Sequence, residues 1–268
     1  MRNLSLAFAP IPVVLIAIAA LGQEPAESDR WHVELPAGKA TLLVDPEMSA
    51  TSVRERAPAK APKQDRWAGG EKIQLENLAG VNQLVTGRDK RTPSKPLTKE
   101  KKSIRMFRAG PVGRVLAYAI DGTTAKRMKA SPRDLVLLDL ETGARLELLT
   151  GKHIMDFAFS PDGKVLAVSH STQIDFYDRA GKLLRTLAAK QIDKRMYSHG
   201  AHHILWRPDS AAIACAIQFL GGRVAIAGEE PTPIYGDHQL FIVPLKGAVK
   251  AIDLPENAWV KPVAWHQR

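Results

Sequence analysis

Apolar residues along the chain gather into short runs separated by Gly, Pro, Asp and Ser, the punctuation that predicts strands joined by turns. The clearest unit lies between His153 and Leu187. Phe157-Ala158-Phe159 leads into Ser160-Pro161-Asp162-Gly163-Lys164, followed by Val165-Leu166-Ala167-Val168. Then come Ile174-Asp175-Phe176-Tyr177-Asp178 and Ala180-Gly181-Lys182. Pro presets φ at the second turn position, and Asp-Gly accepts the positive φ that follows. The stretch therefore reads as strand, tight turn, strand, short loop, strand, tight turn, strand.

The unit recurs. Trp206-Arg207-Pro208-Asp209-Ser210 precedes Ile213-Ala214-Cys215-Ala216-Ile217 and then Leu240-Phe241-Ile242-Val243-Pro244-Leu245-Lys246-Gly247. Upstream, Phe107-Arg108-Ala109-Gly110 leads to Gly113-Arg114-Val115-Leu116-Ala117-Tyr118, and on to Leu135-Val136-Leu137-Leu138-Asp139-Leu140-Glu141-Thr142-Gly143. Anchor aromatics at Phe107, Phe159, Trp206 and Trp265 stand 52, 47 and 59 residues apart. A four-stranded unit repeating at that spacing predicts a β-propeller.

The Phe159-Ser160-Pro161-Asp162-Gly163 turn, with Tyr177-Asp178 closing the third strand, resembles the TolB-like and WD-repeat β-propellers of exported bacterial proteins. The resemblance runs from about Ile104 to Arg268. Tyr177 stands where the WD-repeat pattern carries Trp, and the Asp of the WD-repeat hydrogen-bonded tetrad is missing near Thr172. The resemblance implies an all-β binding scaffold: three recognisable four-stranded blades plus a partial or closing blade. Fold likeness carries no function by itself.

Blade arithmetic leaves two expectations open. Trp31-His32-Val33-Glu34-Leu35 and Thr41-Leu42-Leu43-Val44 look like a hairpin of another blade, and Ile73-Gln74-Leu75 and Leu84-Val85 offer short strands. Either this N-terminal hairpin pairs near the C-terminal strand Val263-Ala264-Trp265, or further blades lie beyond Arg268. Both leave an exposed strand edge to be managed.

The N-terminus carries an address. Met1-Arg2-Asn3 is a short basic start, Leu4 to Leu21 is largely apolar, and Ala20-Leu21-Gly22 supplies small residues before Gln23. That is the three-part build of a secretory signal cut after Gly22, which predicts a periplasmic or secreted protein. The alternative is an uncleaved anchor, which Pro10 and Pro12 disfavour as a straight span; once the leader is cut, no transmembrane span is expected. No Cys follows the apolar run, so a lipid-anchored lipoprotein is excluded. The organisation expected is a leader over 1–22, an N-terminal region with short hairpins and a basic linker over 23–103, and propeller repeats over 104–268.

Composition sharpens this. With 268 residues, 45% hydrophobic, 25% charged and one Cys, the chain is neither collagenous nor disulfide-stapled, and it can form no Cys-rich metal cluster. The formal charge of +10 is concentrated: residues 51–108 hold 15 Lys+Arg against 6 Asp+Glu, a balance of +9. The block is also rich in Pro, Ala and Lys, so it reads either as a solvated flexible linker or as an electrostatic arm for an anionic envelope component. Export, and the lack of interleaved aromatics, argue against nucleic acid as a partner.

In a four-stranded blade the second-to-third loops and the blade-to-blade connections fall on the opposite face from the tight turns. Here the long connections are residues 121–134, 188–203 and 221–237. Their chemistry is mixed: Lys126, Arg127, Lys129 and Arg133 in the first, Lys190, Lys194 and Arg195 in the second, Glu229, Glu230 and Tyr235 in the third. Such a face suits a protein or peptide partner. His199, His202 and His203, with His153 before the preceding blade, read either as a transition-metal site or as hydrogen-bonding pegs between blades. Cys215, in an apolar strand, reads as an inert buried thiol. Asp162 and Asp209 read as turn formers rather than paired catalytic acids. No Gly-x-Ser-x-Gly elbow, phosphate loop or haem-attachment pair is present, and no cofactor is expected. The reading is a non-catalytic scaffold. Its alternatives are a metal-binding or enzymatic propeller and a remnant of a longer propeller protein.

Overall fold

The computed structural model describes residues 31–34, 40–47, 64–66, 72–87, 95–122, 132–192, 201–224, 232–252 and 259–267. The leader expected over residues 1–22 lies outside them. Among the described residues, no helix is long and apolar enough to cross a membrane.

The described chain is all-β. Strands β1 (Trp31–Glu34) and β2 (Ala40–Glu47) form a hairpin. Four sheets follow, each made of four strands consecutive in the chain. Blade 1 contains β3 (Gln64–Arg66), β4 (Lys72–Leu78), β5 (Val81–Gly87) and β6 (Lys95–Pro96). Blade 2 contains β7 (Ile104–Ala109), β8 (Val115–Asp121), β9 (Arg133–Asp139) and β10 (Arg145–Lys152). Blade 3 contains β11 (Ile154–Phe159), β12 (Val165–His170), β13 (Gln173–Asp178) and β14 (Leu183–Ala188), followed by the single helical turn α1 (Ala189–Ile192). Blade 4 contains β15 (His202–Trp206), β16 (Ala212–Val224), β17 (Thr232–Pro244) and β18 (Lys250–Ile252). The last strand, β19 (Trp259–Gln267), returns to pair antiparallel with β2, Trp265 opposite Leu42. The expected pairing of the N-terminal hairpin with the C-terminal strand is therefore present.

The arrangement of the sheets follows from where successive side chains go. Alternate residues of a strand point to opposite faces of its sheet. In β8, Leu116, Tyr118 and Ile120 join Ile73 and Leu84 in the core between blades 1 and 2. Val115, Ala117 and Ala119 of the same strand join Phe157, Leu166 and Val168 between blades 2 and 3. Val165, Ala167 and Phe176 in turn face Trp206, Cys215 and Phe241 between blades 3 and 4. The middle strands β8 and β12 are thus buried on both faces, which is why they read as near-continuous apolar runs rather than alternating ones. The outer strand β10 is exposed along most of its length. Sheets stacked face to face in chain order, with the same strand innermost each time, make a β-propeller. Every buried Phe in these interfaces contributes on the order of 1.5–3 kcal/mol.

Two expectations need correction. The basic stretch of residues 51–108 contains a four-stranded sheet as well as β7, so it is not linker throughout. Its strands escape the apolar pattern because, among the described side chains, β4 buries only Ile73 and β5 only Gln83, Leu84 and Val85. Pro96 is tolerated because β6 is an edge strand, where a missing N–H costs little. Beyond β6 the Gln83 side chain acts as a surrogate ladder, donating to Glu100 O at 2.7 Å and accepting from Glu100 N at 2.8 Å. The second correction concerns the aromatic anchors. Gly110 N, Ser160 N and Arg207 N donate to Val115 O, Val165 O and Ala212 O, making these three turn positions equivalent. Phe159 and Trp206 therefore match Ala109, while Phe107 matches Phe157.

Candidate functional site

The two ends of the blades are built differently. At one end the described turns are short, and four of them are held by an acid of their own. Ser160 Oγ donates to Asp162 Oδ1 at 2.6 Å and accepts from Val165 N at 2.9 Å, while Asp162 N donates to Ser210 Oγ in blade 4. The Ser160 hydrogen bond is the main reason the Asp162 carboxyl lies below its ordinary range. Gly163, at φ 69°, supplies the left-handed residue, and a Cβ there would press on Val112. Asp139 Oδ1 accepts from Glu141 N and Thr142 N, and Asp178 Oδ1 from Ala180 N and Lys182 N. Asp209 pairs with Arg207 through contacts of 2.7 and 2.6 Å. These acids form turns, as their sequence setting predicts.

At the opposite end the connections vary. In blade 3, β12 passes to β13 through the two residues Ser171 and Thr172. In blade 2 the stem of the connection is closed by Gly122 N donating to Pro132 O at 2.8 Å, and beside it Arg105 grips Asp121 through both carboxylate oxygens. In blade 4 the connection is not a loop at its base. β16 and β17 are 13 residues each and stay paired out to Val224 opposite Thr232, whereas their neighbours β15 and β18 have 5 and 3 residues. β15 reaches only as far as His202 opposite Ala216. Some seven residues of each long strand thus run on as a two-stranded ribbon of roughly 20–25 Å.

Polar groups inside the propeller brace this frame. Asp175, in the middle of β13, accepts hydrogen bonds from His170 Nε2 (2.7 Å), Tyr177 OH (3.0 Å), Thr186 Oγ1 (2.8 Å) and Gln173 Nε2 (3.0 and 3.1 Å). A carboxylate can only accept, so His170 carries its proton on Nε2. Burial works to raise the Asp175 pKa, but the bonds from His170, Thr186 and Gln173 outweigh it and hold the carboxyl below its ordinary range. Burial, and then the Asp175 charge, push the Tyr177 phenol upward. A second carboxylate, Asp156 on β11, links three blades. It accepts from Arg108 on β7 at 3.3 Å and from Ile204 N on β15 at 2.8 Å. Ile204 N is free to reach it because β15 is bulged between His202 and Leu205, where His203 adopts φ 55°. The inner strands of blades 2 and 3 are irregular at the matching place.

The residues singled out in the sequence are distributed unevenly. Lys126, Arg127, Lys129, Lys194, Arg195, Glu229, Glu230 and His199 lie outside the described residues. Tyr235 stands on β17 opposite Leu220, in the projecting ribbon. The Arg133 guanidinium is half-buried, with Nη1 against Met106 Sδ at 3.0 Å and Ile154 O at 3.3 Å, and desolvation lowers its pKa. His153 precedes β11, and its carbonyl accepts from Ser171 N at 2.7 Å, while His202 and His203 open β15. Among the described residues, no group of three or more His, Cys, Asp and Glu side chains is placed to hold a metal ion. Cys215 is fully buried, which pushes its thiol up to about 12.

Sequence reasoning missed Asp175 and Asp156. The signal for Asp175 was a lone acid at the centre of the apolar run Ile174-Asp175-Phe176-Tyr177, a position where a charge persists only if it is satisfied. Asp156 gave no comparable signal, because its partners are 48 residues away on either side.

No protein-family model matches the chain, and no curated protein sequence matches it. Solved structures are similar in fold. The tricorn protease aligns over 76% of this chain and 18% of its own, at 14% identity and a TM-score of 0.52. The β-propeller domain of the Trilobed protease from Pyrococcus furiosus, described as having an open velcro topology, aligns over 68% of this chain and 53% of its own, at 14% identity and a TM-score of 0.43. Dipeptidyl peptidase 4 of Porphyromonas gingivalis aligns over 80% of this chain and 36% of its own, at 12% identity and a TM-score of 0.49. The chain thus spans between about a fifth and about half of the structures it resembles. At such identities the likeness concerns the propeller fold alone.

Proposed function

We propose that this protein is an exported, non-catalytic β-propeller scaffold that binds a protein or peptide partner at the end of the blades opposite the tight turns. The observation that carries the reading is the β16–β17 ribbon. Its strands outrun both neighbours, at the place where blade 3 needs only a two-residue turn. Paired strands beyond the sheet are not required to complete blade 4, and a ribbon with unpaired edges offers backbone N–H and C=O groups to a partner strand. The TolB-like or WD-repeat affinity expected from the Phe159–Gly163 turn remains part of this proposal, as does location in the periplasm or outside the cell. A second reading, a propeller that serves a longer protein, is compatible with the fraction of the protease structures that the chain spans.

The test is to shorten the ribbon, replacing residues 219–237 with an Asn-Gly hairpin turn. Partners captured by cross-linking from a cell-envelope extract are then compared with those of the intact protein. Loss of a specific partner with the melting temperature unchanged supports the reading. Identical captures defeat it.

A further inference from the structure

The connection from blade 1 to blade 2 carries Lys99, Lys101 and Lys102 along one wall of an open cleft of about 320 Å³. The rest of its lining comes from Glu100 of the same connection and from Ile120, Asp134, Arg145 and Glu147 of blade 2. The carboxylates here are already engaged. Glu100 accepts from Tyr118 OH at 2.5 Å and from Arg145 Nε at 3.1 Å. Glu147 pairs with Arg145 at 3.0 Å, and buried Asp134 accepts from Gly151 N at 2.8 Å. Arg145 is thus held between Glu100 and Glu147. No ion pair or hydrogen bond joins any of the three lysine side chains to another group among the described residues, and Lys99 and Lys101 are exposed. The acids of the cleft are committed to the protein and its ammonium groups are not.

We infer that this cleft binds a stretch of acidic polysaccharide, the three lysines taking its carboxylate or other oxyanion groups. Lysine ammoniums are point charges without a fixed fork, suited to a row of spaced anions rather than to one bidentate group. The cleft is bounded by the connection on one side and by blade 2 on the other, and a single polymer strand can lie along it. No aromatic side chain lines it. Stacking platforms, the usual means of holding single-stranded nucleic acid, are therefore missing from its walls. The site is separate from the β16–β17 ribbon and does not depend on the role proposed for it.

The experiment uses the full chain and fluorescein-labelled polygalacturonate as the probe, with fluorescence anisotropy as the readout. Wild-type protein is expected to bind with an affinity that falls as salt is added. The triple variant K99A/K101A/K102A should lose about tenfold in affinity, in line with the modest worth of exposed charge contacts. Changing three exposed lysines of blades 3 and 4, K182A/K246A/K250A, should cost less than about twofold. The triple Lys→Arg variant should retain binding, and so should the protein with its ribbon shortened. Equal affinity of K99A/K101A/K102A and wild type would overturn the inference. So would equally tight binding of neutral dextran, or a greater dependence on these lysines for single-stranded DNA or anionic-lipid vesicles than for the glycan.

Discussion

Blades 3 and 4 share one plan and use it differently. The first residue paired after the tight turn is Val165 in one and Ala212 in the other, opposite Asp178 and Pro244. Three residues further in, Val168 faces Asp175 in blade 3, and Cys215 faces Phe241 in blade 4. The same place in the same fold is a charged hub in one blade and an apolar plug in the next. At the far end the contrast reverses. Blade 3 closes on Ser171 and Thr172, while blade 4 extends its two middle strands beyond the sheet. Blade 3 spends its polar groups on holding itself and its neighbours in place, and blade 4 projects backbone outward from a dry interior. Rigid support beside a projecting element is the usual division of labour at a recognition surface.

The sharpest way to break this contrast is to remove the hub. Asp175→Ala leaves His170, Thr186, Gln173 and Tyr177 without their shared acceptor, and a loss of about 3–5 kcal/mol is expected in urea denaturation. Asp175→Phe, which copies blade 4, should not rescue stability, because the orphaned donors remain. A smaller effect is expected in the apolar counterpart. Cys215→Ser puts a hydroxyl into the apolar cluster of Phe176, Trp206 and Phe241 and should cost about 1–3 kcal/mol. The native thiol, at about 12, should resist alkylation at pH 8 until the protein is unfolded, as a timed thiol-labelling assay would show. Shortening the ribbon should move stability by less than about 1 kcal/mol, because a two-stranded ribbon running beyond its sheet is marginally stable by itself and a shorter connection changes closure entropy only logarithmically.

The smallest expected effect is the pH dependence of the hub. Asp175 is held below its ordinary value when folded, so the folded state binds fewer protons there than the unfolded chain does. Its contribution is complete above the unfolded carboxyl value of roughly 3.9 and is lost as the pH falls through the lower folded value. Denaturation midpoints of wild type and Asp175→Asn should therefore converge on acidification. A constant gap down to the acid limit would contradict the assignment.

How far the fold could be read ahead of the structure depended on where each strand buries its side chains. Blade 3 was legible because Ser160-Pro161-Asp162-Gly163 is a turn whose geometry is dictated locally, and because β12 and β13 are buried on both faces. Blade 1 was legible only in part: Ile73-Gln74-Leu75 and Leu84-Val85 read as short strands, but few side chains of β4 and β5 are buried and β6 carries a proline. The 221–237 connection was expected as a loop, because Gly221, Gly222, Pro231 and Pro233 punctuate it as turns do. The ladder from Gln218 opposite His238 to Val224 opposite Thr232 shows paired backbone instead. Strand pairing through backbone groups leaves little trace in side-chain pattern.

Locally dictated features were therefore set by the residues themselves: the turns, the strands between them, the repeat, the concentration of basic charge and the buried character of Cys215. Each depends on groups within a few positions of one another, whose preferences need no distant partner. The packing of each sheet between two others was decided only in three dimensions, as were the return of β19 to β2, the collection of donors around Asp175 and the reach of Asp156 from Arg108 to Ile204. So was the commitment of Glu100 to Tyr118 and Arg145, which leaves three lysines facing an open cleft. Those arrangements join residues tens to hundreds of positions apart, and a carboxylate's role is defined by which donors the fold brings to it.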